Sequence, residues 1–147
     1  ETDKAYLQVL EGVSLPGPRQ LGILFSPLHG VAASSVVPLL NSVGFQDVQV
    51  YPPHASQDGD FPNVPDHIAN PEEPAVFDGP IEYAREHGQE IVLATDPDGD
   101  RMGCAAPLTL AEGSPCRCSM VTSSPPCWPT LRSKDVLERA PCSPMIT

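Results

Sequence analysis

The sequence predicts an α/β fold: a layered α/β/α domain built on a short mixed sheet, followed by a largely irregular C-terminal tail. Three observations carry that prediction. Short apolar runs of strand length alternate with segments whose apolar residues recur at helical spacing. Glycine and proline stand at the junctions between them. One run, EIVLAT (90–95), is apolar at nearly every position, as expected when helices cover both faces of a sheet. Strand, helix, strand, helix, strand is the pattern of a layered α/β domain with right-handed connections. A chain of 147 residues is the size of one domain and can bury a real core.

In the first segment (1–19), Tyr6, Val9, Leu10 and Val13 share a helical face, and Pro16-Gly17-Pro18 breaks the chain after it. LGILFS (21–26) reads as a short buried strand, and PLHG turns it toward a helix in which Val36, Val37, Leu40 and Val43 share a side. Pro38 falls inside that helix and removes a hydrogen bond, so the helix is expected to start late or to kink there. Gly44 is its stop. DVQVY (47–51) is a second strand, and a polar, proline-rich loop runs over 52–74. Residues 76–87 read as the next helix, closed by Gly88. EIVLAT is the third strand and RMGCAAPL (101–108) one more, so the α/β domain spans 20–108.

Charge separates this domain from the tail. The formal net charge is -11, which argues against a nucleic-acid backbone or an anionic membrane surface as partner. The tail (109–147) does not share that acidity, since Arg117, Arg132, Lys134 and Arg139 outnumber Glu112, Asp135 and Glu138. It also holds Cys116, Cys118, Cys127 and Cys142, and shows no sustained apolar period. No stretch reaches the roughly 18 to 20 uninterrupted apolar residues of a membrane span, and the first residues lack a basic region followed by an apolar one. A soluble, cytoplasmic chain is the expectation.

The apolar third strand stops at TDPDGDR (95–101), with aspartates at 96, 98 and 100. In a sheet of this kind ligands gather beyond the carboxyl ends of the strands, and Asp96 stands at one of them. Three ionised carboxylates in one loop repel each other unless something positive neutralises them. Alternate side chains of an extended loop can converge on one cation, and Gly99 gives the backbone freedom to curl around it. Oxygen-only ligands that leave positions for water or phosphate suit Mg²⁺ better than a soft metal. The plain alternative is a solvated acidic turn. A calcium EF-hand is excluded, because Arg101 stands where its glycine belongs and Pro107 where its final glutamate belongs. Arg101 is either a fork for a phosphate oxygen beside the metal or the partner of an ion pair with Asp98 or Asp100.

TDPDGDRMG, preceded by SPLHGV after the first strand and by the single motif DGDFPNV…NPEEP in the long loop, resembles the second domain of the α-D-phosphohexomutases, the phosphoglucomutase and phosphomannomutase family. Three motifs in the family's order carry the likeness over about residues 20–108. The resemblance implies that Asp96, Asp98 and Asp100 bind the catalytic Mg²⁺ and that Arg101 belongs to the active site. It says little about His29, which reads as a structural residue of the turn with a direct role as the alternative, and Asp58, Gly59 and Asp60 read as shapers of the loop. It further implies intramolecular phosphoryl transfer: a phosphoserine passes its phosphoryl group to a hexose phosphate, and the resulting bisphosphate reorients and returns the other. The family's phosphoserine motif, sugar-gripping loop and phosphate-binding domain do not occur in these residues, and Ser26, Ser34 and Ser35 lack the nucleophile's context. A hexose phosphate is therefore expected as partner only together with the missing domains.

Where the family continues into a Gly-Asn-Gln-Ile-Gly-Ala-Leu-Leu-Ala-Asp-like helix, this chain has MVTSSPPCWPT (120–130). Back-translated and read from the third base of the Met120 codon, that stretch permits the family helix. A slip of reading frame somewhere over 108–120 is the implied cause, and the tail is then non-native or disordered, its cysteines and Trp128 incidental. Cys116 and Cys118 lack the paired spacing of a zinc site. Two alternatives stand beside the mutase reading. A haloacid-dehalogenase-like phosphatase would use Asp96 as nucleophile, but needs a later lysine and acidic pair, and Lys134 lies in the tail. A non-enzymatic remnant module is the other.

Overall fold

The computed structural model describes residues 2–107 and 116–121, with side-chain surroundings for 4–107. The order of elements is α1 (Thr2–Glu11), β1 (Ile23–Ser26), α2 (Ala33–Ser42), β2 (Val48–Val50), α3 (Asp78–His87), β3 (Ile91–Thr95), β4 (Met102–Pro107) and β5 (Cys116–Val121). The strands form one sheet in the order β2-β1-β3-β4-β5. β1 pairs in parallel with β2 on one side and β3 on the other, while β4 runs antiparallel to β3 and β5 antiparallel to β4. The expected mixed sheet is thus present, and β1 to β4 each lie within the run that predicts them.

This order creates the site. The chain leaves β1 for β2 in one direction and returns past β1 to β3 in the other, so the right-handed crossovers put α2 and α3 on opposite faces. The ends of β1 and β3 then form the switch point of the parallel sheet, where the connections diverge and open a crevice. Ser26 is in register with Ala94, so the SPLHG turn and the aspartate loop leave the sheet side by side.

The two faces of β1 are packed differently. Leu24, with Val92, Ala94 and Ala105 of the neighbouring strands, joins Val64, Val76, Phe77 and Ala84 in one buried cluster. Ile23 and Phe25, which alternate with Leu24, are buried on the opposite face. The long loop contributes much of the first cluster. It contains 3-10 turns at Pro52–His54 and Pro74–Phe77, each opened by a proline whose fixed φ suits the first turn position, and a turn at Pro65–His67 in which Asp66 and His67 take positive φ. The third turn leads straight into α3, which therefore begins two residues later than predicted. Gly88 ends α3 in the left-handed conformation, φ 74°.

Two expectations are corrected. α2 does not start late, since it begins at Ala33 and Pro38 lies inside it; the missing N–H is tolerated because the residue is exposed. In α1, Tyr6 and Val9 are exposed and Val13 lies beyond the helix, while Leu7 and Leu10 are half-buried. The apolar residues allow either face, and the neighbouring α2 selects the one carrying Leu7 and Leu10. Within the tail expected to be irregular, 116–121 forms an added strand at the edge of the sheet; ladder hydrogen bonds use only backbone groups and make few demands on sequence. The remainder of the tail's reading, with Trp128, lies outside the described residues.

Candidate metal centre

β3 ends at Thr95, and the chain turns back as β4 with Thr95 paired to Met102, so the six residues between form a tight reversal. Asp96 is its centre, only 1 % exposed. Its Oδ1 accepts the Arg101 backbone N–H at 3.0 Å and its Oδ2 accepts the Arg101 Nε–H at 2.8 Å. The Gly99 N–H donates to the Asp96 carbonyl at 3.1 Å, and Gly99 has φ 79°, which a residue without Cβ adopts freely. The loop is therefore wound around one buried carboxylate.

Asp98 and Asp100 are exposed, yet each offers an oxygen that lies with one of Asp96 in a group no more than 4.8 Å across. An ion holding oxygen at about 2.0–2.1 Å places its ligands about 3 Å apart when adjacent and about 4.2 Å when opposite. The trio is a small swing away from that spacing, and the swing falls on the two exposed side chains. An all-oxygen donor set of three carboxylates fits a hard divalent cation such as Mg²⁺.

The electrostatics set the carboxylates of the loop against each other. Burial would raise the Asp96 pKa, but its bonds to the Arg101 backbone and guanidinium, and to Asp100, more than offset this and hold it below the ordinary carboxylate value. Asp100 is pushed the other way, first by its side-chain hydrogen bond to Asp96 and then by the charges of Asp96 and Asp98. The repulsion within the loop thus falls on Asp100, which takes up a proton more readily, while Asp96 stays ionised.

Arg101 pairs with Asp96, a partner not foreseen, and more distantly with Asp100 at 3.7 Å; no ion pair joins it to Asp98 among the described residues. The guanidinium pKa is raised, chiefly by its bond to Asp96. Its side chain remains 41 % exposed, so pairing with Asp96 does not prevent it from touching an anion. The Arg101 Nη1–H donates to Asn70 Oδ1 at 2.9 Å. Asn70 opens the NPEEP stretch, but nothing in its local sequence says that it reaches 31 residues forward.

The SPLHG turn braces the loop from the other side. The Val31 N–H donates to the Pro97 carbonyl at 2.9 Å, and Gly30 lies so close that a Cβ there would stand 2.2 Å from Pro97 Cα. His29 is buried at φ 64°, its Nδ1–H donating to the Ser56 carbonyl at 2.7 Å, as suits a structural residue of the turn. Its Nε2 is buried without a hydrogen-bond partner among the described residues. Asp58 donates its N–H to the His29 carbonyl and accepts the Asp60 N–H, a turn-shaping pattern. Ser26 is wholly buried; its hydroxyl donates to His54 Nδ1 at 2.8 Å, since His54 Nε2–H is committed to the Asn63 carbonyl at 3.0 Å. Sequence reading did not find His54, whose partners lie in separate segments.

Residues 4–108 match the family model described as phosphoglucomutase/phosphomannomutase, alpha/beta/alpha domain II. Phosphoglucomutases of Staphylococcus aureus strains USA300 and NCTC 8325 / PS 47 are each 34 % identical over 85 residues, covering 58 % of this chain and 15 % of theirs. A crystal structure of a phosphoglucomutase/phosphomannomutase family protein from Burkholderia thailandensis superposes with a TM-score of 0.59 at 25 % identity, over 72 % of this chain and 22 % of that one. The chain thus spans a small part of the length of these relatives.

Proposed function

The chain belongs to the phosphoglucomutase/phosphomannomutase family, whose second domain it carries, and from that premise we propose that it supplies the metal-holding part of a hexose-phosphate mutase active site. The observation that carries this reading is the three-carboxylate cluster at the carboxyl end of a parallel strand, with a guanidinium fixed beside it. Asp96, Asp98 and Asp100 would hold Mg²⁺, which when bound neutralises charge that otherwise opposes transfer between phosphate groups. Asp96 orients Arg101, and Arg101 presents donors to a phosphate oxygen. Gly30 and Pro97 keep the loop pressed against the SPLHG turn, so the backbone that carries the carboxylates is positioned before any ligand arrives. The nucleophilic phosphoserine and the sugar-gripping loop must come from further domains. With them, the reaction is intramolecular phosphoryl transfer on a hexose phosphate.

Titrating the chain with Mg²⁺ in a calorimeter tests the site. Asp98→Asn removes one ligand charge without touching the buried core, and should weaken binding about tenfold or more. Unchanged affinity would reduce the carboxylates to a polar turn. Adding the family's remaining domains and following glucose-phosphate isomerisation then tests the catalytic reading. No observation favours the phosphatase alternative, since Asp96 is buried with both oxygens bonded to Arg101, a poor state for a nucleophile. We also propose that the reading frame slips within 108–120; a nucleotide sequence without an insertion or deletion there disposes of that idea.

A further inference from the structure

We infer that Asn70 is a positioning residue for Arg101: its side-chain oxygen holds Nη1 of the guanidinium while Asp96 holds Nε, so the plane of the fork is fixed before an anion arrives. This rests on the reading that Arg101 serves a phosphate, but its geometry stands separately.

The two anchors come from different segments and engage different nitrogens, so rotation about the Nε–Cζ bond is stopped. Among the described residues Nη2 makes no hydrogen bond and is the donor left to present. Asn70 is itself held firmly. Its Oδ1 also accepts the Glu72 N–H at 3.1 Å, its N–H donates to the Ile68 carbonyl, and its carbonyl accepts the Glu73 N–H. Pro71, fully buried, docks the segment on β4, where a Cβ at Gly103 would stand 2.7 Å from the Pro71 carbonyl oxygen. The residue type matters as well. An amide accepts a bond from the guanidinium without cancelling its charge, whereas a carboxylate at position 70 would add a further negative group to Asp96, Asp98 and Asp100 and to Glu72, whose charge already acts on Arg101. Holding a long side chain in place in advance also removes ordering entropy from anion binding.

The test is nitrogen NMR of the Arg101 guanidinium in the 147-residue chain, assigned by comparison with Arg101→Lys. Wild type should show separate Nη1 and Nη2 signals. Asn70→Ala should speed the exchange between them about tenfold or more, the effect of losing one charge-assisted hydrogen bond. Asn70→Asp should keep the signals separate. Asn70→Ser retains an oxygen for the Glu72 N–H but is too short to reach Nη1; it should behave like alanine and guards against a folding defect in that variant. Merged signals in wild type, or separate signals in both the alanine and serine variants, overturn the inference. Titration with inorganic phosphate in the presence of Mg²⁺ supplies the second readout: Asn70→Ala and Asn70→Asp should both weaken binding several-fold, the first by lost geometry and the second by added charge. Wild-type affinity in both overturns the charge argument. If Arg101→Lys leaves phosphate affinity unchanged, the functional reading fails while the NMR result still decides the role of Asn70.

Discussion

At Gly30 one hydrogen atom stands between this fold and a collision. A methyl group there meets the Pro97 backbone, which cannot swing aside as a flexible side chain would. Gly30→Ala should therefore cost about 2–3 kcal/mol and displace the aspartate loop, lowering the midpoint of thermal unfolding and the Mg²⁺ affinity together. Gly59→Ala is the matched control: nothing lies within 4 Å of its Cβ, and its effect should stay within about 0.5 kcal/mol. A melt of both proteins decides. His54 makes a second prediction at this scale. Burial lowers its pKa from 6.5, the Asn63 carbonyl offsets part of that, and the charge of His29 adds to it. The unfolded chain then takes up a proton near pH 6.5 that the folded chain refuses, so stability present at pH 7.5 should decline as pH falls below about 6.5. His54→Gln cannot titrate and should flatten the dependence of the melting midpoint over pH 7.5 to 5.5. An equally steep slope in that variant would place the pH dependence elsewhere.

Among the elements, α2 is the one whose sequence argues against it. Pro38 withholds a backbone donor from the helix interior and is exposed, so it returns no packing for the loss. Pro38→Ala should stabilise the chain by about 1 kcal/mol or more, read as a rise in the denaturant midpoint at unchanged slope. A fall would mean that the proline's restriction of the unfolded chain outweighs the helix defect. The first four strands were legible because short apolar or, in β2, alternating runs bounded by glycine, proline or aspartate leave little choice of length. The face of α1 was not, since Tyr6, Val9, Leu10 and Leu7 fit either of two stripes and only the position of α2 decides. The long loop was legible as proline-rich but not as packed. Val64 and Pro71 are buried in it, and their burial depends on contacts with strands that single-sequence periodicity cannot place. The candidate metal centre divides in the same way. Three aspartates two apart show in seven residues, whereas the anchoring of Arg101 by Asn70 joins segments that only the folded sheet brings together.

For the molecule as a whole, net charge and site chemistry oppose each other in a way that can be measured. A chain of net charge -11 attracts a divalent cation and repels a phosphate, and the aspartate loop concentrates that field where phosphate is proposed to bind. Arg101 alone is a weak counterweight, because its charge already faces Asp96 and Asp100. Cation binding should therefore precede and promote anion binding. Linkage makes the coupling reciprocal: whatever factor Mg²⁺ adds to phosphate affinity, phosphate must add to Mg²⁺ affinity. With metal–phosphate association in solution accounted for, both titrations should give the same factor, about fivefold or more, and it should shrink as ionic strength rises toward physiological values. Phosphate binding that ignores Mg²⁺ would mean that Arg101 works without the carboxylates, and the three aspartates would then belong to the turn and not to a reaction.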